Sequence, residues 1–286
     1  MRVFKSPYRS YVKIVEIPKE EISKIDFDMC AQPRQTLKAY YDNCEVKPAI
    51  ICNGGFFSMT DGTTCFTYAD DGQIINFEPN YNKGMGISAG SLTFGNLNET
   101  SYTDFISAYP VLMENGKAIE ITDAQEINYK ARRTVLAYDD NNIYIIAVEF
   151  PGMTFVELQK LLIELGVKYA INLDGGGSTK ILEYGKSITS IWHNRPVDNV
   201  VAVYLKPKEA YKIQIGAFKN ELRAKNCLAA IHQTPDTIGA GYRFATLRQD
   251  GKIYKVQVGT YRTKAAAARV VTDLQKRNYA PFIISI

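Results

Sequence analysis

Asp174 is the residue of this chain best placed to do chemistry. It ends an apolar run, residues 167–173, that reads as a buried strand, and it leads straight into Gly175, Gly176, Gly177 and Ser178. Glycines there let the backbone turn sharply and bring its N–H groups close to a ligand. A carboxylate at a strand end beside an anion-friendly loop suits reaction on a charged substrate. The same octet, 171–178, also fits a tight turn whose Asp only caps its own backbone.

The surrounding elements decide what could meet that carboxylate. Residues 154–165 predict a helix. Thr154 is its N-cap, Glu157 completes a capping box, Phe155, Leu158, Leu161, Leu162 and Leu165 share a face, and Gly166 ends it. The strand to Asp174 follows directly, so the spacing predicts an α/β unit. Residues 133–138 and 142–150 read as a strand pair, 33–41 as a helix, and 47–52 as a short strand ending in Asn53, Gly54, Gly55, Phe56 and Phe57. Short alternating stretches between 64 and 94, with Asp71-Gly72 as a hairpin cue, read as further strands, as do 105–112 and 199–204.

The tail repeats itself. Residues 211–218 and 254–261 each give an alternating strand, a glycine and an aromatic, and each is followed by a helix, 221–232 and 264–277. Strands at 242–247 and 280–286 complete a ferredoxin-like β-α-β-β-α-β unit. The chain therefore divides into residues 1–205, a linker 206–210 and a small domain 211–286. The fold class is α/β (α+β), a mixed sheet followed by the small split module.

Length and composition narrow the function. At 286 residues the chain holds one large or two ordinary domains. No apolar window reaches the roughly 18 residues of a membrane span. The first residues lack an apolar leader core, which predicts synthesis in the cytoplasm and action at a wall after lysis or export, or from a virion. The five cysteines are odd in number with no Cys-x-x-Cys pair, so neither disulfide framework nor zinc knuckle is expected. Histidines are only two, His193 and His232. Residues 206–286 hold 15 Lys and Arg against 5 Asp and Glu, +10, whereas 1–205 hold 19 against 25, −6. A basic module on an acidic body predicts a polyanion or wall-polymer binder.

The tail resembles a SPOR domain, on its paired Gln-x-Gly-aromatic strands, their helices and the closing apolar strand. That resemblance implies a sheet face that binds peptidoglycan glycan strands through Gln214, Phe218, Gln257 and Tyr261. Residues 45–205 resemble the phosphodiester glycosidase family. The matching pieces are residues 53–57, Tyr109-Pro110-Val111-Leu112 with Asn115-Gly116, Arg133-Thr134, residues 172–178, and Arg195-Pro196-Val197 with Asn199. Two departures stand out. Ser107-Ala108-Tyr109 replaces a Ser-Gly-Gly piece, and Glu149-Phe150 replaces an Asp-Gly.

The family resemblance implies cleavage of a sugar-1-phosphodiester through an oxocarbenium-like state. Asp174 is then the nucleophile or general base and Glu149 its partner carboxylate, with His193 a candidate proton shuttle. Arg133 and Arg195 suit the phosphate, since a guanidinium fork matches two oxygens. Gly175, Gly176, Gly177 and Ser178 could add an anion nest. Asn53, Gly54 and Asn199 would meet sugar hydroxyls or orient Asp174. No cofactor or metal-ligand motif appears, although Asp174 with a second carboxylate leaves room for a divalent cation such as calcium. The expected partner is peptidoglycan or a wall glycopolymer; nucleic acid is not expected, because the tail lacks the aromatic pattern of an RNA-binding sheet. A non-catalytic wall-binding protein on a degenerate glycosidase fold is the alternative.

Overall fold

The computed structural model describes residues 1–6, 9–30, 34–98, 101–107, 109–121, 127–190, 194–207, 210–261 and 263–286. The chain forms two compact units, Met1–Lys206 and Pro207–Ile286.

Among the described residues, the first unit holds three sheets. The largest has seven strands in the order Arg2–Ser6, Arg9–Pro18, Asn142–Met153, Ala131–Tyr138, Tyr169–Asn172, Val111–Glu114 and Lys117–Ala118. A five-stranded sheet runs Lys186–Ser187, Ile181–Glu183, Ile50–Asn53, Asn199–Leu205 and Ile22–Met29. A second five-stranded sheet runs Gln73–Asn76, Tyr68–Asp70, Asp104–Ser107, Lys83–Ser88 and Ser91–Asn96. The helix Phe155–Glu164 connects Asn142–Met153 to Tyr169–Asn172 as the spacing predicts. These two strands do not pair with each other. Ala131–Tyr138 lies between them and is antiparallel to both, so every ladder described in this sheet is antiparallel.

Period-two alternation explains the layering. Along Asn142–Met153, Ile143, Ile145 and Ala147 face inward onto Phe27, Ile50 and Val201 of the smaller sheet, in one cluster that also takes Tyr68, Met85 and Ile106. Tyr144, Ile146 and Val148 face the other way, against Phe155, Leu158, Leu161 and Leu162 of the helix. That helix starts as a capping box, with Thr154 Oγ1 accepting from Glu157 N and Glu157 Oε2 accepting from Thr154 N. Each of its buried leucines contributes about 2 kcal/mol of transfer free energy. The seven-stranded sheet is therefore apolar on both faces, which bears on the site below.

One feature of the second five-stranded sheet is electrostatic. Asp70, Asp71 and Asp104 bring carboxylate oxygens within 4.8 Å of one another, a group containing neither Asp174 nor Glu149. Burial, with Asp26, Asp70 and Asp71 nearby, pushes the Asp104 carboxyl up to about 6, although it accepts the Asp71 N–H. A folded chain that keeps this proton between pH 3.8 and about 6 gains stability in acid and loses it as pH rises through about 6. The deficit at neutral pH is about 3 kcal/mol for a side chain this buried. Asp104→Asn keeps an acceptor for Asp71 N and should recover much of it. Urea titrations should show the variant more stable than the parent at pH 7 and the gap closing by pH 4; a gap independent of pH would refute this account.

The second unit has strand order Thr246–Asp250, Ile253–Tyr261, Tyr211–Phe218 and Phe282–Ser285, with helices Glu221–His232 and Lys264–Lys276 packed on its core. This is the split β-α-β-β-α-β order. The residues expected to open its third strand, Tyr242–Phe244, form a 3-10 turn instead, and the strand begins at Thr246.

Candidate active site

Asp174 sits where the two large sheets of the first unit are stitched together. Leu173 N donates to Thr134 O at 2.9 Å and Asp174 N to Gly54 O at 3.0 Å. Asn53, fully buried, donates from Nδ2 to Asp174 O at 2.6 Å. Its Oδ1 accepts from Thr134 Oγ1 at 2.8 Å and from Lys180 N at 3.2 Å. Asn53 is thus spent on positioning Asp174 and has nothing left for a sugar. Asn199, also fully buried, accepts from Gly54 N through its carbonyl at 2.9 Å and from Gly55 N through Oδ1 at 2.6 Å. A side chain at Gly54 would begin 2.0 Å from Asn199 Oδ1, so glycine is required there by close approach.

The carboxylate is drawn into the turn that follows. Asp174 Oδ1 accepts from Gly175 N at 2.7 Å. Burial raises its pKa, while the Ser178 hydroxyl, the Gly175 N–H and the Arg195 guanidinium pull it partly back. Arg195 lies across Gly177, where any Cβ would fall 2.5 Å from Nη2. Gly175 N is therefore committed to Asp174 and is not available to an anion nest.

Arg133 is expected at the phosphate, and the structure turns it away. It donates from Nη2 to Ile127 O at 3.1 Å and Tyr129 O at 2.9 Å, and stacks on the Phe155 ring at 3.8 Å. It belongs to the helix-facing side of the sheet. Neighbouring residues of a strand point to opposite faces, and Arg132 instead reaches the turn, donating from Nη2 to Thr179 O at 3.1 Å. Burial lowers the Arg132 pKa, Glu149 raises it and Arg195 lowers it further, so the three charges share one neighbourhood.

Glu149 is expected as the second carboxylate. Its Oε1 accepts from Ser190 N at 2.5 Å and its Oε2 pairs with Lys13 Nζ at 3.3 Å. Its charge is felt by Arg132 and by buried Lys180. Glu149 is thus the counter-ion of a basic cluster. His193 lies outside the described residues.

Sequence reasoning missed an aromatic cluster that connects to the Asp174 strand. Phe56, Phe66, Tyr81 and Tyr109 form a half-buried aromatic cluster with ring centroids 4.4 to 6.3 Å apart. Tyr109 is tied to the Asp174 strand, with its carbonyl accepting from Asn172 Nδ2 at 2.7 Å. Phe56 and Tyr109 lie inside the motif pieces noted above, whereas Phe66 and Tyr81 come from loops with no such signal. Aromatic faces offer sugars an apolar platform.

A groove of about 380 Å³ lies beside Asn199, lined by Asp61, Thr63, Thr64, Asn76 and Asp198, with Thr64 Oγ1 donating to Asp198 at 2.6 Å. A larger groove of about 640 Å³, lined by Asp26, Asp28, Tyr40 and Tyr204 among others, includes none of the turn residues. Exposed Cys65 lies within electrostatic range of Asp174. Its thiol pKa is raised by partial burial and by Asp174, Asp61 and Asp198. A maleimide-polyethylene glycol should therefore label Cys65 slowly and block turnover, and Cys65→Ser should be immune; unimpaired turnover of the fully labelled protein would show that substrate does not approach Asp174 past Cys65.

In the second unit Gln214 and Gln257 face each other across the central ladder and are only 7% and 4% exposed. Phe218 folds over Gly216 and Tyr261 over Gly259, the same device in both repeats. Tyr261 also donates to Ala240 O at 2.9 Å. Both amides are therefore inside the sheet surface rather than standing free on it. Among the described residues, the exposed large apolar side chains of this unit are Leu222, Ile238, Phe244, Phe282 and Ile286.

Comparison with known proteins matches residues 47–204 to the family described as phosphodiester glycosidase and residues 207–285 to the SPOR domain. A mouse N-acetylglucosamine-1-phosphodiester alpha-N-acetylglucosaminidase is 28% identical over 186 residues, 54% of this chain and 35% of that protein, so the chain spans about a third of that relative's length. The catalytic domain of the zebrafish enzyme of that name, auto-inhibited by its pro-peptide, superposes with TM-score 0.55 at 17% identity over 71% of this chain and 86% of that one. A hypothetical protein from Synechocystis superposes with TM-score 0.58 at 15% identity over 68% of this chain and 59% of that one.

Proposed function

Because this chain belongs to the phosphodiester glycosidase family, we propose that its first unit hydrolyses a sugar-1-phosphodiester in a cell-wall polymer while its SPOR domain holds it on peptidoglycan. The observation that carries this reading is Asp174, a half-buried carboxyl of raised pKa, fixed at both backbone ends and faced by Arg195 across a glycine turn.

A carboxylate with raised proton affinity is a good general base. In this reading a water attacks the anomeric carbon and passes its proton to Asp174. The bond from that carbon to the phosphoryl oxygen breaks, and its electron pair stays on the departing phosphomonoester. Arg195 and the turn stabilise the charge that gathers there. A phosphate leaves as a weak base, so no second carboxylic acid is required, in keeping with Glu149 being held by Lys13 and Ser190. The aromatic cluster supplies the platform for the sugar ring. Tethering by the second unit raises the local substrate concentration.

The test is incubation with purified Gram-positive walls, with and without teichoic acid, followed by mass spectrometry. Free sugar and a new phosphomonoester end should appear from the phosphate-bearing walls. Adsorption to both kinds of wall with no product from either would leave a wall-binding protein without this activity.

A further inference from the structure

Three of the orphaned buried polar atoms of the described residues gather on one turn. Arg132 Nη1, Ser178 Oγ and Thr179 Oγ1 are buried without a hydrogen-bond partner. Ser178 Oγ lies near enough to Asp174 to steady its charge but makes no hydrogen bond of normal geometry. Arg132 is joined to the turn by its Nη2 on Thr179 O, so all three atoms border the same 174–180 segment. Two other orphans, Arg133 Nε and Asn172 Oδ1, belong to the opposite face, since Asn172 pairs with Val135 and Arg133 is two residues from it. The sixth, Ser6 Oγ, is on an edge strand.

Buried donors without acceptors are rare because each forfeits its hydration for nothing in return. Three such groups bordering one turn, one of them on a guanidinium that cannot shed its charge, supply the donor chemistry that an oxyanion would satisfy. The nearby acid does not fill it. Glu149 is held by Lys13 and Ser190, and among the described residues no ion pair joins Arg132 to a carboxylate. Arg195 adds a second guanidinium within electrostatic range of the first.

We propose that Arg132, Ser178 and Thr179 form the subsite for the phosphoryl oxygens of the substrate and product, with Arg132 held to the turn by its bond to Thr179 O. This rests on the phosphodiester reading above. It assigns the phosphate to the Thr179 side of the turn, between Arg132 and Arg195, and makes the released phosphomonoester a competitive inhibitor.

The test measures binding of glycerol 3-phosphate to the full-length protein by calorimetry, with sodium lactate as a carboxylate probe, and measures sugar release from walls in parallel. Arg132→Gln should weaken glycerol phosphate binding by roughly tenfold to a hundredfold, the worth of a charged hydrogen bond. Arg132→Lys should recover only part, because the fork is lost; it is also the fallback should the glutamine variant not fold. Thr179→Val should raise the inhibition constant for glycerol phosphate severalfold with native circular dichroism. Arg132 variants that bind glycerol phosphate and release sugar like the parent would overturn the subsite and leave the activity standing. Arg132-dependent binding with no sugar release from any wall would uphold the subsite and sink the activity. Lactate binding as tightly as glycerol phosphate would overturn the phosphoryl assignment.

Discussion

Asp174→Asn should fold as the parent does and release sugar from phosphate-bearing walls roughly a thousandfold more slowly, the scale of a lost general base. The asparagine oxygen can still accept from Gly175 N, and the backbone anchors from Asn53 and Gly54 do not involve the side chain. What disappears is the group that takes the proton. In the parent the carboxyl must be ionised to work. Because burial raises its pKa above 3.8, the rate should fall on acidification at a pH higher than an ordinary aspartate would give. The stability effect has the opposite sign. A folded state that holds this proton more tightly than the unfolded chain gains stability below the raised pKa and loses it as pH rises. Asp174 should therefore contribute most to stability where it is least able to act, so the parent's stability advantage over Asp174→Asn should grow as pH falls. Initial rates across pH, with unfolding followed in the same buffers, check both halves. Sugar release by the variant at the parent's rate would remove Asp174 from the mechanism.

Gly54→Ala should cost more stability than any other single methyl group considered above. The added carbon would sit 2.0 Å from Asn199 Oδ1 and 3.0 Å from Asn199 O. Neither side can retreat easily. Gly54 N is bonded to Asn199 O, Gly54 O accepts from Asp174 N, and Asn199 Oδ1 holds Gly55 N. We expect a loss of roughly 3 kcal/mol or more, together with loss of turnover, because relief of the clash displaces Asp174. Gly72→Ala is the control. It also lies in a turn, at φ +77°, but nothing comes within 4 Å of its added carbon, so only the backbone penalty of about 1 to 2 kcal/mol should appear. Urea midpoints for the two variants compare the effects directly; equal midpoints would mean that the strand junction is softer than its hydrogen bonds indicate.

Local signals read well from the sequence, and two-sided ones did not. The capping box at Thr154 and Glu157, the glycine after that helix and the duplicated tail strands all depend on residues close together in the chain, and the structure has each of them. Asp174 is conspicuous because it stands directly between a largely apolar strand and three glycines. Arg133 and Arg132 were not separable. Both faces of their strand pack on apolar layers, so alternation shows that they diverge but not which one faces the site. The aromatic cluster draws on residues 56, 66, 81 and 109 from separate loops and could be seen only after folding. Glu149 suits a second carboxylate because such hydrolysis commonly divides its work between two, and only its contacts with Lys13 and Ser190 N show it to be a counter-ion. Gln214 and Gln257 look like free binding groups in an alternating strand, yet they pair with each other across the central ladder and are buried there.

The Asn53 side chain touches Gly54 O, Asp174 O, Thr134 Oγ1 and Lys180 N, joining strands of both large sheets through one amide. Closing the sandwich and assembling the reactive centre are then a single cooperative event. Amide hydrogens at Asp174 and Lys180 should exchange with solvent only by global opening, and no partly unfolded intermediate should retain turnover. Recovered activity during refolding would serve as a clock for completion of the whole first unit.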